Sequence, residues 1–164
     1  MAVTTDIVQS WQRPRAVMRR HLQRGRSEPF AFSLLIVFLV LAFIAQFPAA
    51  ARVTALDPAI PVSAQMLGKG LGLLATIPFF YALAAISNIA LRAFGFGLSG
   101  YAARLALFWA LVAISPFVLL VGLVAGMIGP GSQLMLIGLL TFAGYLFQWA
   151  RAIVEASQTP SEVA

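Results

Sequence analysis

One uninterrupted stretch of 46 residues, from Leu105 to Ala150, contains no Asp, Glu, Lys or Arg. A helix needs about 20 mostly apolar residues to cross the roughly 30 Å hydrocarbon core of a bilayer. The stretch is therefore long enough for two crossings, with Gly129-Pro130-Gly131 as the turn near its middle. This feature predicts an integral membrane protein.

The overall composition supports the same class. The 164 residues are 61% hydrophobic and only 10% charged, whereas soluble domains contain roughly 25% charged residues. A small soluble fold could not hide this much apolar surface, so lipid must solvate it. The chain has no cysteine, which excludes disulfides, thiolate metal sites and cysteine nucleophiles.

The hydrophobic segments predict an all-α, polytopic transmembrane bundle. Four crossings are expected at about 30–51, 70–91, 104–127 and 133–150. They would form a four-helix domain over 29–151, between a basic N-terminal region at 1–28 and a polar cytoplasmic tail at 152–164. Pro78 and Pro116 lie inside two crossings and predict helix kinks. Pro116 also leaves the Val112 carbonyl without its usual donor, which Ser115 or a neighbouring helix could replace.

The distribution of basic residues predicts the orientation of these crossings. Six arginines precede the first crossing, and Arg92, Arg104 and Arg151 fall on the same side in a four-span arrangement. Only Arg52 and Lys69 fall on the other side. Because cytoplasmic segments carry an excess of Lys and Arg, this asymmetry predicts that both termini are cytoplasmic.

The N-terminal region is predicted to be amphipathic and helical. Ile7, Val8 and Trp11 recur at helical spacing, and a second apolar set follows Pro14. We expect these helices to lie on the cytoplasmic membrane face and to contact anionic lipid or a partner. No nucleic-acid recognition fold fits in so short a segment. The candidate contact residues are Trp11, Arg13, Arg15, Arg19, Arg20, Arg24 and Arg26.

The predicted crossings contain no Asp, Glu, Lys or His, and the single histidine, His21, precedes them. Intramembrane proteolysis needs a general base or paired carboxylates. A metal centre needs converging ligands, and proton-coupled carriers normally use an intramembrane acid or histidine. We therefore expect no catalytic, cofactor or metal site.

Three polar residues are predicted to lie at similar depth near the cytoplasmic side: Asn88, Arg104 and Gln148. They could form one intramembrane polar cluster, either as interhelical hydrogen bonds or as a site for a small ligand or lipid headgroup. Gly68-x-x-x-Gly72 and Gly122-x-x-x-Gly126 allow close helix approach, within one bundle or in a homo-oligomer.

Three stretches together resemble bacterial members of the Yip family, the Ypt/Rab-interacting proteins. They are SWQRPRAVMRRHL (Ser10 to Leu22), AQFPAAARVTALDPAIP (Ala45 to Pro61) and YAARLALFWALVAISPFVLLVGLVAGMIGPG (Tyr101 to Gly131). The resemblance implies a helical membrane domain with a cytoplasmic N-terminal region, in the bacterial inner membrane. Eukaryotic relatives act in vesicle transport with small GTPases and other membrane proteins.

These features lead to two functional hypotheses. The first is a non-enzymatic membrane scaffold that binds anionic lipid or a partner, including other membrane proteins, and that needs no cofactor. The alternative is a small transporter or channel acting as an oligomer, motivated by the proline-interrupted spans and the Asn88, Arg104 and Gln148 cluster.

Overall fold

The computed structural model describes residues 3–95 and 97–158, and this part of the chain is built from α-helices. The helices are α1 (Val3–Gln12), α2 (Pro14–Leu22), α3 (Glu28–Ala45), α4 (Phe47–Leu56), α5 (Val62–Ala75), α6 (Ile77–Ala93), α7 (Gly100–Met127) and α8 (Ser132–Gln158).

Four helical segments are long and apolar enough to cross a membrane. They are Glu28–Leu56, Val62–Ala93, Gly100–Met127 and Ser132–Gln158. The first joins α3 to α4 and the second joins α5 to α6, each with a one-residue interruption. The prediction of an all-α bundle with four membrane-spanning helices is thus confirmed, and each segment extends beyond the predicted crossing.

Prolines set both interruptions. The first lies at Gln46, two residues before Pro48, and the second lies at Thr76, two residues before Pro78. In each case the proline occupies the first turn of the following helix, where its missing N–H costs no internal hydrogen bond. An interruption before Pro48 is not expected from the sequence, because that residue lies near the predicted end of the first crossing.

Pro116 behaves differently, since α7 continues through it without interruption. The Ser115 hydroxyl donates a hydrogen bond of 2.8 Å to the Val112 carbonyl. That carbonyl is the one that a proline at position 116 leaves without a backbone donor. A side chain therefore replaces the lost bond, and the helix stays continuous.

Helix α7 is the centre of the bundle. Its residues from Tyr101 to Ser115 are buried, apart from the half-buried Arg104. It packs against α3, α4, α6 and α8. An ideal Cβ at Gly122 would lie 2.0 Å from the Ala45 carbonyl oxygen, and one at Gly126 would lie 2.4 Å from Pro48 Cβ. These two glycines therefore provide close packing inside the bundle.

The other predicted glycine pair has no such partner. A Cβ at Gly68 or Gly72 would meet nothing within 4 Å. Both glycines lie on α5, and in the α5–α6 segment the one buried residue is Ala84, on α6. Inside one molecule, this pair makes no helix contact.

The turn between α7 and α8 falls at the predicted Gly129-Pro130-Gly131. Gly129 has φ of +92°, a conformation that glycine adopts without strain. The Arg52 guanidinium donates to the carbonyl oxygens of Gly126 (3.4 Å) and Met127 (3.3 Å). A cation thus satisfies carbonyl groups at the end of α7 that have no intrahelical partner.

Helix α8 is longer than the sequence predicts. The expected polar tail at 152–164 is helical as far as Gln158, and the last six residues lie outside the described part of the chain. Ala152, Ile153, Glu155 and Ala156 are buried. This extension is stable because α2 covers it, a contact between distant parts of the chain.

Candidate functional site

The N-terminal helices α1 and α2 are folded against one end of the bundle, and we call residues 3–27, which contain them, the arm. The apolar face of α2 is buried, with Val17, Met18 and Leu22 each at most 1% exposed. They belong to the same core cluster as α3 and α7. The expectation that this face lies in the membrane surface is wrong, because protein covers it instead.

His21 is part of the same packing. Its ring lies 4.3 Å from the Trp109 ring on α7 and 5.6 Å from the Phe30 ring on α3. Burial, reinforced by the nearby Arg24 and Arg20 and opposed by Asp6, lowers the pKa of His21 to about 4. The imidazole is therefore neutral near pH 7 and packs as an aromatic side chain.

Hydrogen bonds hold α1 to the two longest helices. The Trp109 indole donates to the Ser10 hydroxyl (3.0 Å), and the Gln148 amide donates to the Ser10 carbonyl (3.1 Å). The Trp11 indole donates to the Ala113 carbonyl (3.2 Å). Ser10 is fully buried. Because these bonds join groups far apart in the chain, the arm is an integral part of the fold.

Trp11 reaches well along the bundle. Its ring lies 5.1 Å from the Phe117 ring and against Gly144 of α8, where an added Cβ would lie 3.0 Å from the indole. Its partner Ala113 lies nine residues beyond Arg104, which corresponds to about 13 Å along the helix axis. Trp11, predicted as a lipid or partner contact, is therefore wedged between helices.

Several of the arginines that were predicted to contact lipid or a partner form ion pairs with acidic residues of the same chain. Arg19 pairs with Glu155 of α8 (2.6 Å), and Arg20 pairs with Asp6 of α1 (3.0 Å). Arg26 lies 3.5 Å from Glu28. Glu155 and Asp6 are buried, so these two pairs fix the position of α2 relative to α8 and α1.

The remaining three arm arginines are Arg13, Arg15 and Arg24, all exposed. The Arg24 guanidinium lies 5.1 Å from the centre of the Phe30 ring, in a cation–π contact. Arg13 and Arg15 form no ion pair with any described residue. They flank the corner between α1 and α2, so the uncompensated positive charge is concentrated there.

A concave surface opens at this corner, and we call it the arginine pocket. Its volume is about 440 Å³. It lies between the α1–α2 corner and the outer face of α8, and four arginines but no acidic residue line it. The lining residues are Trp11, Gln12, Arg13, Pro14, Arg15, Ala16, Arg19, Phe147 and Arg151.

Helix α8 contributes a cation and an aromatic ring to the pocket. The Arg151 guanidinium lies 5.4 Å from the centre of the Phe147 ring. Residues four positions apart lie on the same helix face, so the spacing alone places these two together. From the sequence, Arg151 contributes only to the charge asymmetry, because the residues near it in the chain give no sign that the arm packs beside it.

The structure separates the predicted polar cluster. Arg104 donates to Glu28 of α3 (2.5 Å). A Cβ at Gly100 would lie 3.7 Å from Arg104 Nη1 and 3.8 Å from Asn88 Nδ2, so these two side chains are neighbours. Gln148 is joined to the arm instead. Within the described residues no hydrogen bond links Gln148 to Asn88 or Arg104.

The pairing of Glu28 with Arg104 is not predicted from the sequence, because Glu28 falls in the predicted N-terminal region, outside the bundle. Ser27 caps α3 by accepting from the Phe30 N–H, so Glu28 lies in the first helical turn. The Ser27 and Pro29 pattern at a helix start could have indicated this position.

In the part of the chain that the structure describes, no three His, Asp or Glu side chains group closely enough to hold a metal ion. Comparison of the chain with protein-family models, curated proteins and solved structures finds no match. The resemblance to bacterial Yip proteins therefore stays a prediction.

Proposed function

We propose that this chain is a non-enzymatic integral membrane protein that binds anionic lipid through its folded arm and serves as a scaffold in the membrane. The proposal rests on one observation, which is that the two sides of the arm have different surroundings. Its apolar side packs on the bundle, and its unpaired arginines face outward around the arginine pocket.

The position of the pocket favours lipid as the binding partner. Phe147 precedes Arg151 by one helical turn of α8 and belongs to the charge-free stretch, whereas Arg13 and Arg15 belong to the polar arm. The pocket therefore lies at the transition between apolar and polar surface, the level of phospholipid headgroups. Each basic residue close to an anionic leaflet strengthens binding by about fivefold.

We further propose that the protein lies in the bacterial inner membrane with both termini in the cytoplasm. The positive-inside asymmetry supports this orientation. The ion pair of Arg19 with Glu155 supports it as well, because it joins the arm to the last turns of α8 at one end of the bundle. Arg52 lies at the other end, beside Gly126 and Met127.

The scaffold part of the proposal rests on the α5–α6 segment. This segment is long enough to span the bilayer but contributes little to the core. Its exposed surface, with open space at Gly68 and Gly72, is available to another membrane protein or to a second copy of the chain. The alternative of a transporter or channel lacks comparable support, because Gln148 does not join Asn88 and Arg104.

The proposal is tested by measuring which lipids remain around the protein. The full chain is extracted in polymer-bounded bilayer patches from membranes that mix phosphatidylcholine with phosphatidylglycerol, and the retained lipids are quantified by mass spectrometry. We expect enrichment of the anionic lipid over its bulk fraction. Replacing Arg13, Arg15, Arg24 and Arg26 with Gln should abolish the enrichment.

A control variant changes charge elsewhere. Lys69→Gln and Arg92→Gln lie outside the arm and should leave the enrichment intact. Retention of anionic lipid by the arm variant at the wild-type level would contradict the proposal, provided that the variant is correctly inserted.

A further inference from the structure

We propose that the arginine pocket is a discrete site for one lipid headgroup that carries at least two negative charges on phosphate. The inference rests on the proposed function and makes it specific, since it replaces a general attraction to anionic membranes with one site of defined composition.

The charge balance of the pocket sets the charge of the ligand. Of the four lining arginines, only Arg19 has a carboxylate partner. Arg13, Arg15 and Arg151 form no ion pair among the described residues, and no acidic side chain lines the pocket. A singly charged headgroup would leave two of these three cations uncompensated. A headgroup with two charges neutralises most of the excess.

Guanidinium groups also suit phosphate chemically. Each presents a planar set of N–H donors that can bind two phosphate oxygens at once. Pro14, Arg15 and Ala16 add the positive end of α2 to the pocket wall. The N-cap residue Arg13 offers no side-chain acceptor to this helix end. A phosphate at this position would supply the missing negative charge.

An apolar surface continues from the pocket along α8 and favours a lipid over a soluble phosphate compound. Phe147 is 43% exposed, and Leu140 and Leu136 are 56% and 61% exposed. Positions 136, 140, 147 and 151 share one helix face. A lipid whose headgroup meets Arg151 can therefore lay an acyl chain on this stripe, while Trp11 closes the other side of the pocket.

The test is native mass spectrometry of the full chain, titrated with lipids of different headgroup charge. The probes are cardiolipin with two phosphates, phosphatidic acid with a phosphomonoester, singly charged phosphatidylglycerol, and inorganic pyrophosphate as a headgroup without chains. We expect one equivalent of cardiolipin or phosphatidic acid to bind, at least about tenfold more tightly than phosphatidylglycerol, and pyrophosphate to bind more weakly than either lipid.

Two sets of variants locate the site. Arg13→Gln with Arg15→Gln should weaken binding by about thirtyfold. Arg24→Gln with Arg26→Gln changes the net charge equally but lies outside the pocket, and should weaken binding by less than about threefold.

A single substitution on α8 tests whether binding depends on the pocket itself and not only on the charge of the arm. Arg151→Gln should weaken binding by about fivefold or more, whereas Arg92→Gln should not. Since Arg13, Arg15 and Arg151 are exposed and form no ion pair with the residues that the structure describes, these variants should fold as the wild type does.

The possible results are distinguishable. Equal loss in the two double variants, or equal affinity for all the anionic lipids, would overturn the discrete site while leaving the proposed function standing. Pyrophosphate binding as tight as lipid binding would overturn the assignment to a lipid. Absence of preference for any anionic lipid over phosphatidylcholine, titrated in the same way as the uncharged reference, would overturn both.

Discussion

Replacing Gly122 with alanine tests the closest helix contact of the bundle. The new Cβ would lie 2.0 Å from the Ala45 carbonyl oxygen, about 1.4 Å closer than the 3.4 Å at which ordinary van der Waals contact begins. The obstructing atoms belong to the backbone, so α3 must move away from α7. Such overpacking typically costs 1–3 kcal/mol, and alanine returns up to about 1 kcal/mol through helix propensity. Because the clash is with backbone atoms, we take the upper end of this cost and expect a net loss of about 2 kcal/mol.

The measurement is reversible unfolding in mixed micelles, with the free energy of unfolding taken from the denaturing-detergent titration. Gly68→Ala is the matched control, because nothing lies within 4 Å of its Cβ position. This variant should be as stable as the wild type or more stable, by up to about 1 kcal/mol. Equal stability of Gly122→Ala and Gly68→Ala would refute the described crossing of α3 and α7.

Three further predictions concern the arm and α7. Ser10→Ala removes the acceptor of the buried Trp109 N–H and should reduce the free energy of unfolding by about 1–3 kcal/mol, measured in the same titration. The free energy of unfolding should fall as the pH drops from about 6.5 to 4, by up to about 3 kcal/mol, because unfolded His21 takes up a proton before the folded state does. A pH series of the wild-type protein should show this decrease in the free energy of unfolding, and the same series of His21→Phe should not. Ser115→Ala should reduce the free energy of unfolding by about 0.6 kcal/mol in the wild-type background. In a Pro116→Ala background it should have no effect, because the restored N–H of residue 116 donates to the Val112 carbonyl.

Each of these predictions has its own control or contrary result. Ser33→Ala removes an exposed hydroxyl that bonds only to its own helix and should be nearly neutral, so equal losses at Ser10 and Ser33 would contradict the docked α1. A pH slope that persists in His21→Phe would assign it to another group. Additive effects at Ser115 and Pro116 would show that the hydroxyl does not replace the backbone donor.

The membrane helices could be predicted from sequence because lipid imposes a simple requirement. A segment that spans the hydrocarbon core must be apolar throughout and must satisfy its own backbone hydrogen bonds as a helix. The charge-free stretch with its turn at Gly129-Pro130-Gly131 therefore indicated α7 and α8. The extension of α8 beyond Ala150 could not be predicted, since Ile153 and Glu155 are buried where α2 covers them.

The packing of the arm against the bundle could not be predicted from the sequence. An amphipathic helix has the same pattern whether its apolar face meets lipid or protein. The decision depends on contacts such as those of Ser10 with Trp109 and Gln148, which join residues about a hundred or more positions apart. The same separation concealed the role of Gln148 and the contribution of Arg151 to the arginine pocket.

The burial of one face of α2 implies that the arm and the bundle form one folded unit. Because the chain has no cysteine, Ala16→Cys with Arg151→Cys, two exposed positions that line the same pocket, can be cross-linked by a short bis-maleimide in lipid vesicles. We predict efficient intramolecular cross-linking in both neutral and anionic vesicles, and none for Lys69→Cys with Arg151→Cys. Absence of the first cross-link in correctly inserted protein would contradict the docked arm, because an arm lying freely on the membrane would leave position 16 away from α8.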